Sequence, residues 1–315
     1  MLLAYFDDDY SAERNTRLKS YQKIILGQLS SGNWWRSQQD IANRPEPNFH
    51  TAASHFYEAA YIIKSVDENR YIKYFSKAIR NQTKAAVRDQ RGPKAGWDVS
   101  HQLHMTVSDT VSSLITNPDR NVQKTITETE ALHRCLGHRA HATAACFHGN
   151  PEQIREQVNR TWDVLNDNEV PVYIDHDFLK ALKTLATGYE CEYDHRFSDA
   201  IEHYESIDIP QEQIPVKQRK GLVEIKRAIK SNKYDPAVKT ANDVFVDGAP
   251  IKTAVEIIAG ESPSSPRLKE SELDQLIGTT AETLWAFRMF TDFVRQIENP
   301  SSPVKTQLES MILEL

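Results

Sequence analysis

Cysteine is scarce in this chain. Cys135, Cys146 and Cys191 are its only three, spread through 315 residues with no CxxC spacing. A sparse, odd set argues against a disulfide framework and a paired-cysteine zinc site, and points to a reducing, cytoplasmic setting. Glycine is scarce too, with 11 residues, and no Gly-rich phosphate loop is present. The GxSxG elbow and the HExxH metal motif are also missing. No stretch approaches the ~20 consecutive apolar residues of a membrane helix, so no membrane association is expected. The opening MLLAYFDDDY has too short an apolar run for a signal peptide, lacks a basic start and runs into three acids. The formal charge of −6 offers no basic face, so nucleic acid is not an expected partner. No segment alternates with period two beyond a few residues. The best strand candidate, residues 170–174 (VPVYI), is too short and isolated to build a sheet.

What is present is helical. Ala, Glu, Lys, Gln, Leu and Arg recur, and β-branched runs are absent. A first helix is expected over 11–30, with Leu18, Tyr21, Ile25 and Leu29 as its apolar face and Ser31-Gly32-Asn33 as its stop. Trp34-Trp35 and a rigid Arg44-Pro45-Glu46-Pro47 connector follow. Ala52, Phe56, Ala59, Ile63 and Val66 line one face of a helix over about 50–66. Tyr71, Phe75, Ala78 and Ile79 do the same in a helix reaching about residue 88. After a loop at 89–96, helices are expected over about 97–116 and 122–148. Asn150-Pro151-Glu152 supplies a cap, a proline for the first turn and an acid that complements the helix dipole. The helix after it has Ile154, Val158, Trp162 and Leu165 on one face.

The densest pattern is residues 181–207, ALKTLATGYECEYDHRFSDAIEHYESI. Gly188 precedes Ala200 by twelve positions; Phe197, Tyr204 and Ile207 stand at −3, +4 and +7 from Ala200. That is the spacing of two short antiparallel helices with a tight turn, in which small residues let the backbones approach. Tyr234, Ala237, Ala241 and Val244 repeat the offsets 37 residues later, with Asp235-Pro236 expected as cap and first-turn proline. Two Pro-Ser-Ser-Pro runs, at 263–266 and 300–303, are 37 residues apart as well. Residues 260–267 read as a linker. A long helix is expected over 270–297, carrying Leu273, Leu276, Ile277, Leu284, Phe287, Phe290, Val294 and Ile297, before a short terminal helix. The chain thus reads as roughly ten helices joined by short turns.

Residues 174–246 resemble tetratricopeptide units, and 51–84 and 130–166 do so more loosely. The chain departs from that pattern at Thr184, where an aromatic is usual, and at Cys191, where a tyrosine is typical. The resemblance implies an all-α, tetratricopeptide-like superhelical stack of antiparallel helix hairpins, here over 1–259, with 260–315 as capping helices on the same stack. It implies non-catalytic binding of a protein in a concave groove lined by the first helices of successive hairpins, with aromatic anchors and a polar rim. Tyr57, Tyr61, Tyr189 and Glu192 are the candidate groove residues. Phe197, Ala200, Tyr204, Tyr234 and Ala237 are assigned to packing. No cofactor is expected. The helix pairs AASHFYEAAYIIK with YIKYFSKAI, and DFLKALKTLATGYECE with HRFSDAIEHY, also resemble all-helical immunity proteins of polymorphic toxin systems, which neutralise a toxin by binding it.

The rival class is a metal-dependent enzyme. Four of the eleven histidines, His133, His138, His141 and His148, fall within sixteen residues. On a helix His138, His141 and His148 share a face, and imidazoles so spaced can share a transition metal. Two Glu-x-x-His pairs plus two further glutamates are what a di-iron bundle uses; Glu130 with His133 and Glu192 with His195 are such pairs, and Glu58 could supply one of the two glutamates from a third helix. Against this, His195 falls in the predicted turn. Asp175-His176-Asp177 reads as solvated loop. The basic stretch Lys217-Gln218-Arg219-Lys220 with Lys226-Arg227 reads as a solvated face. The five tryptophans are dispersed, most of them expected in the core, with one of Trp34 and Trp35 partly exposed.

Overall fold

The structure, a computed structural model, describes residues 8–31, 47–89, 93–111, 113, 115, 118–167, 174–209, 214–263, 276–279 and 281–315. Among these residues there are thirteen helices and no strand. They are α1 (Asp8–Ser30), α2 (Phe49–Ile63), α3 (Glu68–Asp89), α4 (Pro93–Val111), α5 (Arg120–His148), α6 (Pro151–Asp167), α7 (His176–Tyr193), α8 (Phe197–Glu205), α9 (Val216–Lys230), α10 (Tyr234–Val244), α11 (Pro250–Ala259), α12 (Ala281–Arg295) and α13 (Ser302–Glu314). The expected all-helical class is what the chain adopts. Trp34, Trp35, the strand candidate up to residue 173 and most of the first Pro-Ser-Ser-Pro run lie outside the described residues.

Short polar side chains start several of these helices by accepting hydrogen bonds from otherwise unpaired first-turn amides. Asn48 Oδ1 accepts from Thr51 N at 2.9 Å, Asp119 Oδ1 from Asn121 N and Val122 N at 2.8 Å, and Asn150 Oδ1 from Gln153 N at 3.0 Å. Asp175, read from sequence as solvated loop, accepts from the amides of Asp177 and Phe178 and so caps α7. Asp235 does not cap α10, which begins at Tyr234 with Lys233 before it.

The chain divides into two units. Unit 1 comprises Met1–Arg91, Ala95–Ala140 and Arg160–Ile174; unit 2 comprises Gly92–Lys94, His141–Asn159 and Asp175–Leu315. The division runs through α5 and α6. The C-terminal helices pack within unit 2, α12 and α13 both on α11.

In unit 1, Ala60, Ile63, Ile72, Ile79, Val107, Val111, Val122 and Ile126 form a shared core among α2, α3, α4 and α5. A second cluster joins Ile24 to Ala52, Phe56, Ala59 and Ala78. The first helix corrects the expectation. Its inward face is Ser20, Ile24, Gly27 and Ser31, while Leu18, Tyr21 and Ile25 are exposed. Small residues win the inward position because α2 offers alanines. Ser20 Oγ donates to Ala59 O at 3.0 Å, and a Cβ at Gly27 would meet the Phe56 ring at 3.0 Å. Such close approach leaves no room for leucine or tyrosine.

In unit 2, α7 folds back on α8 and α9 on α10. Both turns have the same hydrogen bonds. Arg196 N donates to Cys191 O at 2.7 Å and His195 N to Glu192 O at 2.9 Å; Lys233 N donates to Ala228 O and Asn232 N to Ile229 O, both at 2.9 Å. His195 and Asn232 sit at φ +57° and +54°. These are Schellman turns with a non-glycine residue in the left-handed position, displaced by the same 37 residues as the helix offsets. α5 and α11 end in the same way at Gly149 and Gly260. Phe197, Ala200, Tyr204 and Ala237 are buried and Tyr234 is partly buried, as their packing assignment requires.

The helix expected over 270–297 does not form as one piece. Leu276, Ile277 and Gly278 occupy a turn, and α12 starts at Ala281. α11, which periodicity did not separate, fills the gap before it. It is buried almost throughout, with Ile251, Ala254, Val255, Ile257 and Ile258 in the cluster that also holds Leu222, Ala237, Phe287, Leu308 and Ile312.

The close approach of α7 and α8 is set at Gly188, where a Cβ would lie 2.3 Å from a Tyr204 ring carbon. Gly188→Ala is expected to destabilise the protein by about 1–3 kcal/mol through overpacking, read as a lower urea midpoint at unchanged m-value.

Candidate functional site

The interior of unit 2 holds an ionic cluster. α7 brings Glu192 inward from its last turn, and α9 brings Arg219 and Lys226, two turns apart. All three side chains are buried, Arg219 completely. Arg219 Nη2 donates to Glu192 Oε1 at 2.7 Å and its Nε to Oε2 at 3.0 Å, a bidentate pair. Lys226 Nζ donates to Oε1 at 2.7 Å, and the Tyr204 hydroxyl from α8 donates to Oε2 at 3.1 Å. Arg219 Nη1 faces three further oxygens: Ile277 O at 3.2 Å, Thr279 Oγ1 at 3.2 Å and Leu315 O at 3.1 Å.

Aromatic rings wall the cluster. The Arg219 guanidinium lies 5.4 Å from the Tyr189 ring centroid, and Tyr189 stacks on Tyr193 and meets Tyr204 edge-on. The Tyr189 hydroxyl donates to Cys146 O at 2.6 Å, and that of Tyr193 donates to Gly149 O. The turn at 276–279 reaches this wall through Gly278, at φ +78°, where a Cβ would lie 2.8 Å from the Tyr189 ring.

One carboxylate here serves two cations. Burial alone would raise the Glu192 carboxyl, but Arg219 and Lys226 outweigh it and hold it below its ordinary value. Burial draws the Lys226 ammonium down to about 8, with Glu192 opposing and the Arg219 charge adding to the fall. Lys226 is the cation that yields first, because Arg219 has the bidentate hold on the carboxylate and three more acceptors besides.

These positions correct three expectations. Tyr189 and Glu192, expected on an exposed groove, are interior, at 0% and 2% exposure. Glu192 is also unavailable as one arm of a di-iron set, since both its oxygens are engaged by Arg219, Lys226 and Tyr204. His195, its Glu-x-x-His partner, sits in the left-handed turn and is exposed. The basic stretch of α9 is not wholly a solvated face: Lys217 and Arg227 are exposed, but Arg219 and Lys226 point inward. The signal was present in the spacing, because Arg219, Leu222, Lys226 and Ile229 fall on one helical stripe.

The histidines of α5 do not gather into one site. His141 Nε2 lies 2.7 Å from the Gln153 amide nitrogen, an acceptor of that hydrogen bond, so its lone pair is engaged. His148 is exposed and His138 is buried in unit 1. No group of three or more His, Cys, Asp or Glu side chains is placed to hold a metal ion among the described residues. His138 instead borders a cleft of about 740 Å³ in unit 1, with Asp109, Glu130, Arg134, Arg160 and Asp163. Glu58 on α2 pairs with Lys23 on α1. Burial pushes the Cys135 thiol up to about 11 and raises Cys146 and Cys191, which makes all three poor thiolates.

Sequence reasoning missed a buried histidine pair in unit 1. His104 on α4 and His133 on α5 approach Nδ1 to Nδ1 at 3.0 Å, and His133 Nε2 meets Ser76 Oγ from α3 at 2.9 Å. One Nδ1 carries the proton and the other accepts it. A proton on both would set two N–H groups against each other. Burial lowers His133 to about 4, with Arg80 adding to the fall, and lowers His104 well below the usual histidine range, with His133 as the next cause.

Of the four expected groove residues, Tyr57 and Tyr61 are exposed, at 37% and 82%. They lie on α2 in unit 1, which packs beside the exposed Leu18, Tyr21 and Ile25 of α1. The Tyr57 ring also rests edge-on against Phe75 at 5.9 Å, and the Arg70 guanidinium lies over Tyr21 at 5.2 Å. Among the described residues no helix is long and apolar enough to cross a membrane. Compared with protein-family models, curated proteins and solved structures, the chain matches none.

Glu192→Gln leaves Arg219 and Lys226 buried with no carboxylate. The expected loss is about 3–5 kcal/mol of unfolding free energy, measured by urea titration. A second expectation concerns pH. The folded state lowers the pKa of His104 and His133, so between the unfolded value near 6.5 and about 4 the unfolded chain binds more protons. Stability contributed by the neutral pair is complete above ~6.5 and falls as pH drops toward 4, by about 1.4 kcal/mol per pH unit for each imidazole. Replacing both histidines with Asn should flatten that slope in denaturation curves taken from pH 7 to pH 4.

Proposed function

We propose that the chain is a non-catalytic protein-binding module, with helix hairpins stacked in the manner of tetratricopeptide repeats and a docking face on α1 and α2. The observation that carries this reading is the orientation of α1. That helix turns Ser20, Gly27 and Ser31 inward and presents Leu18, Tyr21, Ile25 and Leu26 to solvent, with Ile25 at 53% and Leu18 at 58% exposure. Tyr61 on the neighbouring helix is the most exposed large apolar side chain among the described residues, at 82%. Several large apolar side chains exposed on neighbouring helices and flanked by charge favour an interaction site, and tyrosine is enriched at the energetic centres of such sites. The rim carries both signs, with the Arg17–Asp67 pair at 3.1 Å and the Lys23–Glu58 pair, which suits a protein surface better than a uniformly charged polymer.

The recurrence of the Schellman turn at His195 and Asn232, 37 residues apart, supports the repeat reading, as do the matching offsets of Ala200 and Ala237. Stacked hairpins of this kind supply rigid, preformed surfaces, which lowers the ordering cost of binding.

The test is affinity capture with the full chain as bait, in parallel with Ile25→Asp and Tyr61→Asp. Both positions are exposed, so folding should persist. Wild type should retain a stoichiometric protein partner, each variant should lose it by tenfold or more, and hydrogen exchange in the complex should slow over α1 and α2. Retention by both variants, or protection confined to unit 2, overturns the assignment. The identity of the retained protein distinguishes an adaptor from a toxin-neutralising immunity protein.

A further inference from the structure

Helix α12 is apolar on two opposite faces. Leu284, Phe287, Thr291 and Val294 are buried in unit 2. On the far side, Trp285, Met289 and Phe293 recur every four residues and are 58%, 51% and 58% exposed; Ile297 follows just beyond the helix. Three large side chains so exposed leave on the order of 300–400 Å² of apolar surface in one stripe, within the range of the largest, often functional, patch on a monomer.

We propose that this stripe is a self-association surface, on which a second copy of the chain packs α12 antiparallel to the first, about a two-fold axis near Met289. The order of residues supports this occupant. Trp285 and Phe293 stand four positions either side of Met289, so reversing the helix sets Trp285 of one copy against Phe293 of the other, with the two methionines meeting at the axis. Thioether against aromatic ring is a favourable contact. The charges reverse equally well. Arg288 and Asp292 flank the stripe on one side, one residue before Met289 and three after it, and a two-fold axis brings like flanks together in opposite directions. Arg288 of each copy is then beside Asp292 of the other, once on each side of the axis. Within its own helix Asp292 is held loosely, by Arg288 at 4.0 Å and Arg295 at 3.7 Å, near the outer limit of an ion pair. A face that matches itself in both apolar order and charge is what an isologous interface requires.

The surface is small. Two copies of the stripe bury less than the ~1,200–2,000 Å² of a standard stable interface, so the dimer belongs in the micromolar range or weaker. It is separate from the α1 and α2 face and does not rest on the reading proposed for that face.

Sedimentation equilibrium of the full chain alone, over about 1–100 µM, tests the proposal. Wild type should dimerise reversibly, and Met289→Asp should remain monomeric with an unchanged helical spectrum. Arg288→Asp should weaken association about tenfold, and the double exchange Arg288→Asp with Asp292→Arg should restore it. Under mild oxidation Met289→Cys should crosslink to a disulfide dimer, whereas Tyr61→Cys, on the unit 1 face, should not. A wild-type chain that is monomeric throughout, or a dimer indifferent to Met289→Asp, overturns the proposal. A dimer that the charge exchange fails to restore overturns the antiparallel register. Ile25→Asp and Tyr61→Asp should leave the dimer intact, which keeps the fate of this surface distinct from that of the partner face.

Discussion

The carboxylate of Glu192 is the interaction on which unit 2 is organised. It is buried, it is ionised, and it is shared by two cations from one helix. Removing such groups from water costs several kcal/mol for each ion, and their attraction repays this only when geometry and further hydrogen bonds are good. Here Arg219 meets the demand with its planar fork: two donors on the carboxylate and the remaining nitrogen facing three oxygens. Those oxygens belong to the turn at 276–279 and to Leu315, both far away in sequence. One side chain thereby ties α7, α9, that turn and the last helix into a single arrangement. Its contribution is one of arrangement rather than of net stabilisation, because an apolar core of the same shape avoids the desolvation cost altogether.

The same demand explains the tyrosines. Tyr189 and Tyr204 bring large apolar rings to a charged centre and spend their hydroxyls on Cys146 O and Glu192. Their rings need space, which Gly188 and Gly278 provide by having no side chain. The tight α7–α8 hairpin is thus as much a consequence of the cluster as of its own turn. Unit 1 handles buried polarity differently. The His104–His133 pair carries no charge and depends on sharing one proton between facing nitrogens, with Ser76 closing the chain. One unit buries charge and compensates it; the other buries neutral imidazoles that resist becoming charged.

Local signals read correctly from the sequence were those with local causes. Asn150 caps α6, the 181–207 pattern folds back as a hairpin, and its offsets recur at Tyr234 to Val244 with the same turn. Such features depend on a few neighbouring residues and their backbone groups. Signals that failed were those decided by a neighbour distant in sequence. The apolar face of α1 pointed to Leu18, Tyr21 and Ile25, but alanines on α2 made the small face the better fit. Arg219 and Lys226 looked like solvated charge because their counter-ion lies on another helix. Tyr189 and Glu192 looked like groove residues for the same reason, since the elements that cover them, α5, α8, α9 and the turn at 276–279, lie elsewhere in sequence.

The sequence by itself determined that this chain is helical, where most of its helices start and stop, and that two of its hairpins share one spacing. Helix periodicity, caps and turn chemistry act over a handful of residues, so they are legible in one dimension. On α12 the periodicity also picked Leu284, Phe287 and Val294, which the core takes. The tertiary structure decided which charges were paired, which small face of α1 became interior and that the second apolar stripe of α12 was left in solvent, because those outcomes depend on what each face meets.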